Sequence, residues 1–176
     1  MEFFEVLAKR YSYKGRFLPD AVPLESLELI ATAGLSAPTG NNSQCVRLII
    51  LPDRDALEPL CTVANSDALR TAPAAIVLYT DSSTQSGRFN FEVEDYAASA
   101  ENMLLSCVAL GYASVWLDGP FLDEIPKKAA ADALGIPDGC RLRVVIPVGL
   151  PDGEGSRRPK MTFGERVSYR RFGGAK

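Results

Sequence analysis

The sequence predicts an α+β fold, and three observations carry that prediction. The stretch Tyr96 to Leu110 holds a single charge, Glu101, and is otherwise Ala, Leu, Met and small polar residues. Its apolar positions run nearly all the way round a 3.6-residue period, so it reads as a helix for a core or an interface rather than a surface. The stretch Pro73 to Thr80 is apolar without alternation, as expected of a strand covered on both faces. Helical and extended segments then follow one another along the chain without a strict strand–helix repeat.

The chain has 176 residues, enough for one domain with a substantial core. Apolar residues make up 47% and charged residues 23%, the balance of an ordinary globular protein. The net charge of -3 gives no general attraction to nucleic acid or anionic lipid. Fifteen residues in the central helix fall short of the about 20 that a membrane span needs. The first residues, Met-Glu-Phe-Phe-Glu, carry acids and do not read as a secretion signal. Cys45, Cys61, Cys107 and Cys140 are widely spaced. They read as reduced, mostly buried thiols of a cytoplasmic protein. There is no His, which removes the commonest general base, the usual triads and most zinc chemistry. No metal site is expected, and an enzyme of this composition would leave its hard chemistry to a cofactor.

In chain order, Glu2 to Lys9 is expected to be a helix with Phe3, Phe4, Val6 and Leu7 turned inward. Arg10-Tyr11-Ser12-Tyr13-Lys14-Gly15-Arg16 follows as a basic loop. Two readings fit it, a solvated loop or a cradle in which Arg, Lys and a hydroxyl hold a phosphate. Pro23 to Gly34 reads as a helix opened by Pro and stopped by Gly, with Leu24, Leu27, Ile30 and Ala31 on one face. Ser36 to Gln44 is irregular and rich in small and amide side chains. It is either a plain turn or a loop that bonds the edge of a planar heterocycle, because Asn42 and Gln44 each offer a donor and an acceptor. Val46 to Leu51 is a strand, Asp55 to Ala64 a helix, and Asp81 to Asn90 a polar loop. The central helix is expected to begin near Phe91 and to end at Gly111, a fitting left-handed cap. Glu92, Glu94 and Asp95 at its start read as compensation of the helix dipole rather than as metal ligands. Tyr112 to Leu117 is a strand, Asp123 to Leu134 a helix, and Arg141 to Val148 the last strand. The remaining tail, about 151–176, carries Arg157, Arg158, Lys160 and several aromatics, and is expected to dock on a partner.

These pieces together resemble the nitroreductase family of FMN-dependent oxidoreductases. Lys9-Arg10-Tyr11-Ser12-Tyr13-Lys14 is similar to the family's N-terminal Arg-x-Ser-x-Lys/Arg motif. Ala37-Pro38-Thr39-Gly40-Asn41-Asn42-Ser43-Gln44 is similar to its Ala-Pro-Ser-x-x-Asn-x-Gln loop. Asn102-Met103-Leu104 with Leu110-Gly111-Tyr112 resembles its central dimer helix, and Ser114 to Gly119 its approach to the reactive flavin nitrogen. Arg158-x-Lys160 resembles its C-terminal basic pair, with Arg157 as an alternative. The chain departs from the family after Gln44, where Cys45-Val46 stands in place of the frequent Pro-Trp.

The resemblance implies a mixed or antiparallel sheet flanked by helices, and a homodimer with two FMN sites at its interface, the long helix lying there. It implies a ping-pong transfer from NAD(P)H through FMN to a small acceptor such as a nitroaromatic or a quinone. Arg10, Lys14, Arg158 and Lys160 would hold the phosphate and the anionic reduced ring. Ser12 and Asn42 would orient the flavin, with Tyr11, Pro38, Thr39 and Gln44 beside it. Backbone groups of Leu117, Asp118 and Gly119 would tune the reactive nitrogen. No side chain is assigned a catalytic role, and Tyr11, Tyr13 and Tyr112 read as packing residues. Cys45 reads as a structural thiol, with no His to activate it. Rival readings are a same-fold enzyme for flavin breakdown, dehalogenation, enone or hydroperoxide reduction, and a non-enzymatic flavin-binding or regulatory protein. A flavin-free cysteine hydrolase is disfavoured by the His-free composition.

Overall fold

A computed structural model describes residues 1–85 and 89–174. The elements run α1 (Phe3–Lys9), α2 (Leu24–Leu35), β1 (Val46–Leu51), α3 (Arg54–Val63), α4 (Asp67–Thr71), β2 (Ala74–Asp81), α5 (Glu92–Ala109), β3 (Ala113–Ser114), α6 (Glu124–Ala133), β4 (Cys140–Gly149) and α7 (Phe163–Arg166). Among the described residues the four strands form one wholly antiparallel sheet in the order β1-β2-β4-β3. The class is therefore α+β as expected, and the sheet is antiparallel rather than mixed.

β2 is the middle of the molecule because both its faces are covered. Ala75 and Val77 point into a cluster with Leu57, Leu60, Leu69, Phe121 and Val145, beneath α3, α4 and α6. Ala74, Ile76 and Leu78 point the other way, onto Leu27, Ile30, Met103, Leu104 and Cys107 of α2 and α5. The period of two in a strand makes this division automatic, and apolar residues on both sides give the unbroken run seen in the sequence. α5 is buried along the side that carries Ser99, Ala100, Met103, Leu104 and Cys107. It ends at Ala109, and Gly111 just beyond has φ of 87°, the left-handed cap conformation.

The ladder between β2 and β4 is interrupted by a bulge. Its register steps from Leu78↔Val144 to Tyr79↔Leu142 and skips Arg143. This bulge lets Arg143 and Val144, neighbours in sequence, both serve the α5 side of the sheet. Val144 enters the core there. Arg143 donates to Thr80 Oγ1 at 2.9 Å and to the Glu92 carboxylate, and its guanidinium lies 5.3 Å from the Tyr96 ring centre.

Three expectations need correction. Phe3 is 62% and Phe4 81% exposed, Leu7 is exposed too, and only Val6 of α1 is buried. An apolar stripe says that a face is covered, not whether its own chain covers it. Gly34 does not stop α2, which runs on to Leu35. Gly34 lies buried where α2 crosses α5, and a Cβ there would stand 2.7 Å from Met103 Cγ; the glycine is a packing device. The strand expected over Tyr112 to Leu117 shortens to Ala113–Ser114 plus a single bridge from Leu117 to Val145. The short helices α4 and α7 carry no long periodic run and were not foreseen. Of the loop expected over Asp81 to Asn90, residues 86–88 lie outside the described residues, as do tail residues 175–176.

Candidate functional site

The basic loop begins where α1 ends, and two contacts fix its course. Tyr13 is buried and its backbone N–H donates to Ser114 O at 3.0 Å, so the loop runs beside β3. The Tyr13 hydroxyl donates to Arg16 O at 2.6 Å, and burial raises its pKa. Between these anchors Ser12 and Lys14 stay exposed. Arg10 turns to α5, with its Nε 3.5 Å from Glu101 Oε1.

The C-terminal tail comes back to this loop through one residue. Arg157 donates to the carbonyls of Ala8 and Lys9, the open end of α1. Its guanidinium also lies 5.1 Å from the Tyr11 ring centre. A Cβ on Gly155 would collide with the Tyr11 ring, so the tail backbone presses on that ring. Arg158 and Lys160 are exposed.

The amide-bearing loop is built differently. It leaves α2, makes a 3-10 turn over Gly40–Asn42 and enters β1. Asn41, Asn42 and Gln44 have φ of 53°, 53° and 49°. Left-handed backbone is uncommon for a residue with a side chain, though Asn tolerates it best. A cleft of about 650 Å³ opens against this loop. Pro38, Thr39, Asn42 and Gln44 line it, with Val46, Arg47 and Ser99. Its size falls within the range of about 300–1,000 Å³ usual for small-molecule sites. Ser99 is 1% exposed and its hydroxyl has no hydrogen-bond partner among the described residues. A buried hydroxyl left unpaired is costly, and a polar group entering the cleft could satisfy it.

Of the departure at Cys45-Val46, only Val46 faces the cleft. Cys45 is fully buried, and burial and then its bond to Asp95 push the thiol pKa up. That environment suits an inert thiol. Burial also pushes the Cys107 thiol up to about 12.

The third candidate segment, Leu117 to Gly119, lies just beyond β3. Leu117 exchanges backbone hydrogen bonds with Val145, both at 3.0 Å, and the Asp118 carbonyl accepts from Phe121 N–H at 2.7 Å. Leu117 and Asp118 are half-buried and Gly119 is exposed.

The candidates thus fall on two parts of one chain. The basic loop, the tail and the residues after β3 gather at one end through Tyr13, Ser114 and Arg157. The Pro38–Gln44 loop is anchored instead at the start of α5, where Gly40 N–H and the Ser43 hydroxyl donate to Asp95. Both groups hang on α5, through Glu101 and Asp95. Those two positions are six residues apart, about 9 Å along a helix axis. A second cleft of about 490 Å³, lined by Lys127, Cys140 and Arg143 among others, holds none of the candidates. Among the described residues no group of His, Cys, Asp and Glu could hold a metal ion, and no helix is long and apolar enough to cross a membrane.

The sequence profile of the nitroreductase family matches residues 7–64 and 59–150. The chain belongs to the nitroreductase family. An Archaeoglobus fulgidus relative named as an NADH dehydrogenase/NAD(P)H nitroreductase is 34% identical over 131 residues, 74% of this chain and 75% of the relative. The crystal structure of a Clostridium difficile nitroreductase family protein superposes with a TM-score of 0.81 at 26% identity, covering 97% of this chain and 99% of that one. A Desulfovibrio desulfuricans nitroreductase crystallised in complex with FMN has a TM-score of 0.75 at 26% identity, covering 95% of each chain. The α+β arrangement of this chain is thus the nitroreductase fold.

Asp95 is the functional candidate that the sequence reading missed. An acid in the first turn of a helix looks like dipole compensation, and nothing in its spacing shows that it holds the amide loop 50 residues before it.

Proposed function

We propose that this chain is an FMN-dependent oxidoreductase that moves electrons from NAD(P)H to a small acceptor, such as a nitroaromatic or a quinone, by a ping-pong mechanism. The observation that carries the reading is the family match across residues 7–150. The donor set agrees with it. Arg10 and Lys14 supply cations suited to a phosphate. Asn42 and Gln44 supply carboxamides suited to a heterocycle edge, in the cleft that the unpaired Ser99 hydroxyl also lines. FMN, when bound, would supply the hydride- and electron-transfer chemistry between nicotinamide and acceptor. The protein's own part is to bind, orient and exclude water. Arg10, Lys14, Arg158 and Lys160 would balance the negative charge, Ser12 and Asn42 would fix orientation, and backbone groups from Leu117 to Gly119 would tune the reactive nitrogen.

A homodimer, in which the loop of one copy and the cations of the other share one cofactor, fits this reading. Exposed Phe3, Phe4 and Leu7, and exposed Met161, Phe163 and Phe172 of the tail, are the apolar surfaces such a dimer would cover. In this reading residues 1–176 form one domain whose tail docks on the partner.

The test is the visible spectrum of the purified protein before and after NADH or NADPH is added without oxygen. A yellow protein that bleaches is expected. A yellow protein that does not bleach would favour a flavin-binding or regulatory role, and a colourless one that takes up no FMN would overturn the function.

A further inference from the structure

Asp95 lies on the buried side of the first turn of α5 and is 3% exposed. Its carboxylate gathers donors from two other segments. Oδ1 accepts the Gly40 backbone N–H at 2.7 Å. Oδ2 accepts the Ser43 hydroxyl at 3.1 Å, the Cys45 thiol at 3.4 Å and the Gln85 carboxamide at 3.4 Å. Among the described residues no Lys or Arg pairs with it. A buried carboxylate without a cation is unfavourable unless hydrogen bonds satisfy it. Here three of the donors belong to the amide loop, and the start of a long helix adds its favourable dipole.

The places where these bonds grip are informative. Gly40, Ser43 and Cys45 bracket Asn41, Asn42 and Gln44, the three residues in left-handed backbone. Gly40 has no room to shift, because even a Cβ there would collide with the Phe91 ring. The loop is pinned on both sides of the residues that carry the carboxamides, and those residues adopt a backbone they would seldom choose unaided.

We propose that Asp95 is a positioning residue for flavin binding. It holds the Gly40–Cys45 turn in the shape that sets the Asn42 and Gln44 carboxamides against the cofactor. The inference rests on the FMN reading of the site. Asp95 also lines the cleft, but its carboxylate is taken up by the donors of the turn, and it acts through the Asn42 and Gln44 carboxamides. Cys45 belongs to the same device, since its thiol is a donor to Asp95 and not a wall of the cleft.

The experiment is a double-variant cycle on FMN affinity, with the unliganded unfolding midpoint and the visible circular dichroism of the bound flavin read in parallel. Asn42→Ala should weaken FMN about tenfold, the scale of one lost hydrogen bond. Asp95→Asn keeps the shape but puts an NH2 where donors now point. It should weaken FMN by a similar factor and alter the dichroism of the flavin that remains bound. The double variant should lose clearly less than the product of the two single losses, because part of what Asp95 sets in place is already gone. If the two losses multiply, or if Asp95→Asn leaves affinity and dichroism unchanged, the positioning role is overturned. Should Asp95→Asn fail to fold, Ser43→Ala removes one donor, keeps the carboxylate, and is read in the same cycle by the same criteria. A wild-type chain that takes up no FMN overturns the flavin reading and this inference with it. Tight wild-type binding beside an ineffective Asp95→Asn overturns the inference alone.

Discussion

Arg143, the extra residue of the bulge in β4, donates to the carboxylate of Glu92, which is 2% exposed at the start of α5. Burial alone would raise the Glu92 pKa. Hydrogen bonds from Ser82, Arg143 and Thr80 and the Arg143 charge outweigh burial and hold it below the usual value of 4.5. A carboxyl with a depressed folded pKa stabilises the fold above its unfolded value, and that contribution fades as pH falls through the folded one. The wild-type unfolding midpoint should therefore drop as pH is taken from 6 to below 4.5. Arg143→Met leaves a buried charge unpaired, which costs about 3–5 kcal/mol at neutral pH. The variant should regain part of that loss in acid, where Glu92 can protonate. Midpoint curves that run parallel for the two proteins would show that the pair does not govern this dependence.

Arg10 and Lys14 are predicted to retain FMN through its phosphate. Arg10→Ala with Lys14→Ala should weaken retention by at least about tenfold, given about 1.5–3 kcal/mol for a hydrogen bond to a charged group. The loss should shrink as salt rises, because exposed charges are screened. Glu101→Gln frees Arg10 from its ion pair and should leave retention equal or tighter. Retention untouched by the double substitution would refute the cradle.

Arg157 joins the tail to α1 by a planar fork, and a lysine ammonium cannot reproduce two parallel bonds with ring stacking. Arg157→Lys should therefore behave like Arg157→Ala. Both should speed proteolytic cleavage of the tail near residues 153–160, with little change in the core's unfolding midpoint. Protection fully restored by lysine would mean that charge alone holds the tail.

Sedimentation should find the flavin-loaded protein as a dimer. Phe4→Ser, at an exposed apolar position of α1, should weaken the dimer more than it destabilises the isolated chain. A stable, flavin-loaded monomer would sink the shared-site arrangement.

The long elements were legible because single-chain burial is written into them. β2 and β4 show it as apolar runs, and α5 as a stretch, from Tyr96 onward, whose one charge is Glu101, with a glycine after it. What failed was any feature whose cause lies elsewhere in the molecule. The stripe of Phe3, Phe4 and Leu7 reads the same whether its own chain or another covers it. Gly34 resembles a stop signal, and only the presence of Met103 opposite shows it to be a contact. The strand expected at Tyr112 to Leu117 has extended, apolar composition, but only its beginning finds a ladder on β4. The dipole reading of Asp95 stands, but its bonds to the Gly40–Cys45 turn stay out of sight for the same reason, since those donors come from far along the chain. The residues named for the cofactor were picked by resemblance; periodicity carries no trace of them.

The basic loop has a consequence for how this protein is made. Its course is closed off by contacts with the far end of β4: Leu18 N–H bonds Leu150 O, Asp152 N–H bonds Arg16 O, and Phe17 bridges Pro151. These are among the most sequence-distant pairings of the fold, and such contacts form late because a long loop must first be closed. The ribosome releases the basic segment first, yet that segment acquires its shape only after residue 152 has emerged. Any task of this loop that depends on that shape must wait until then.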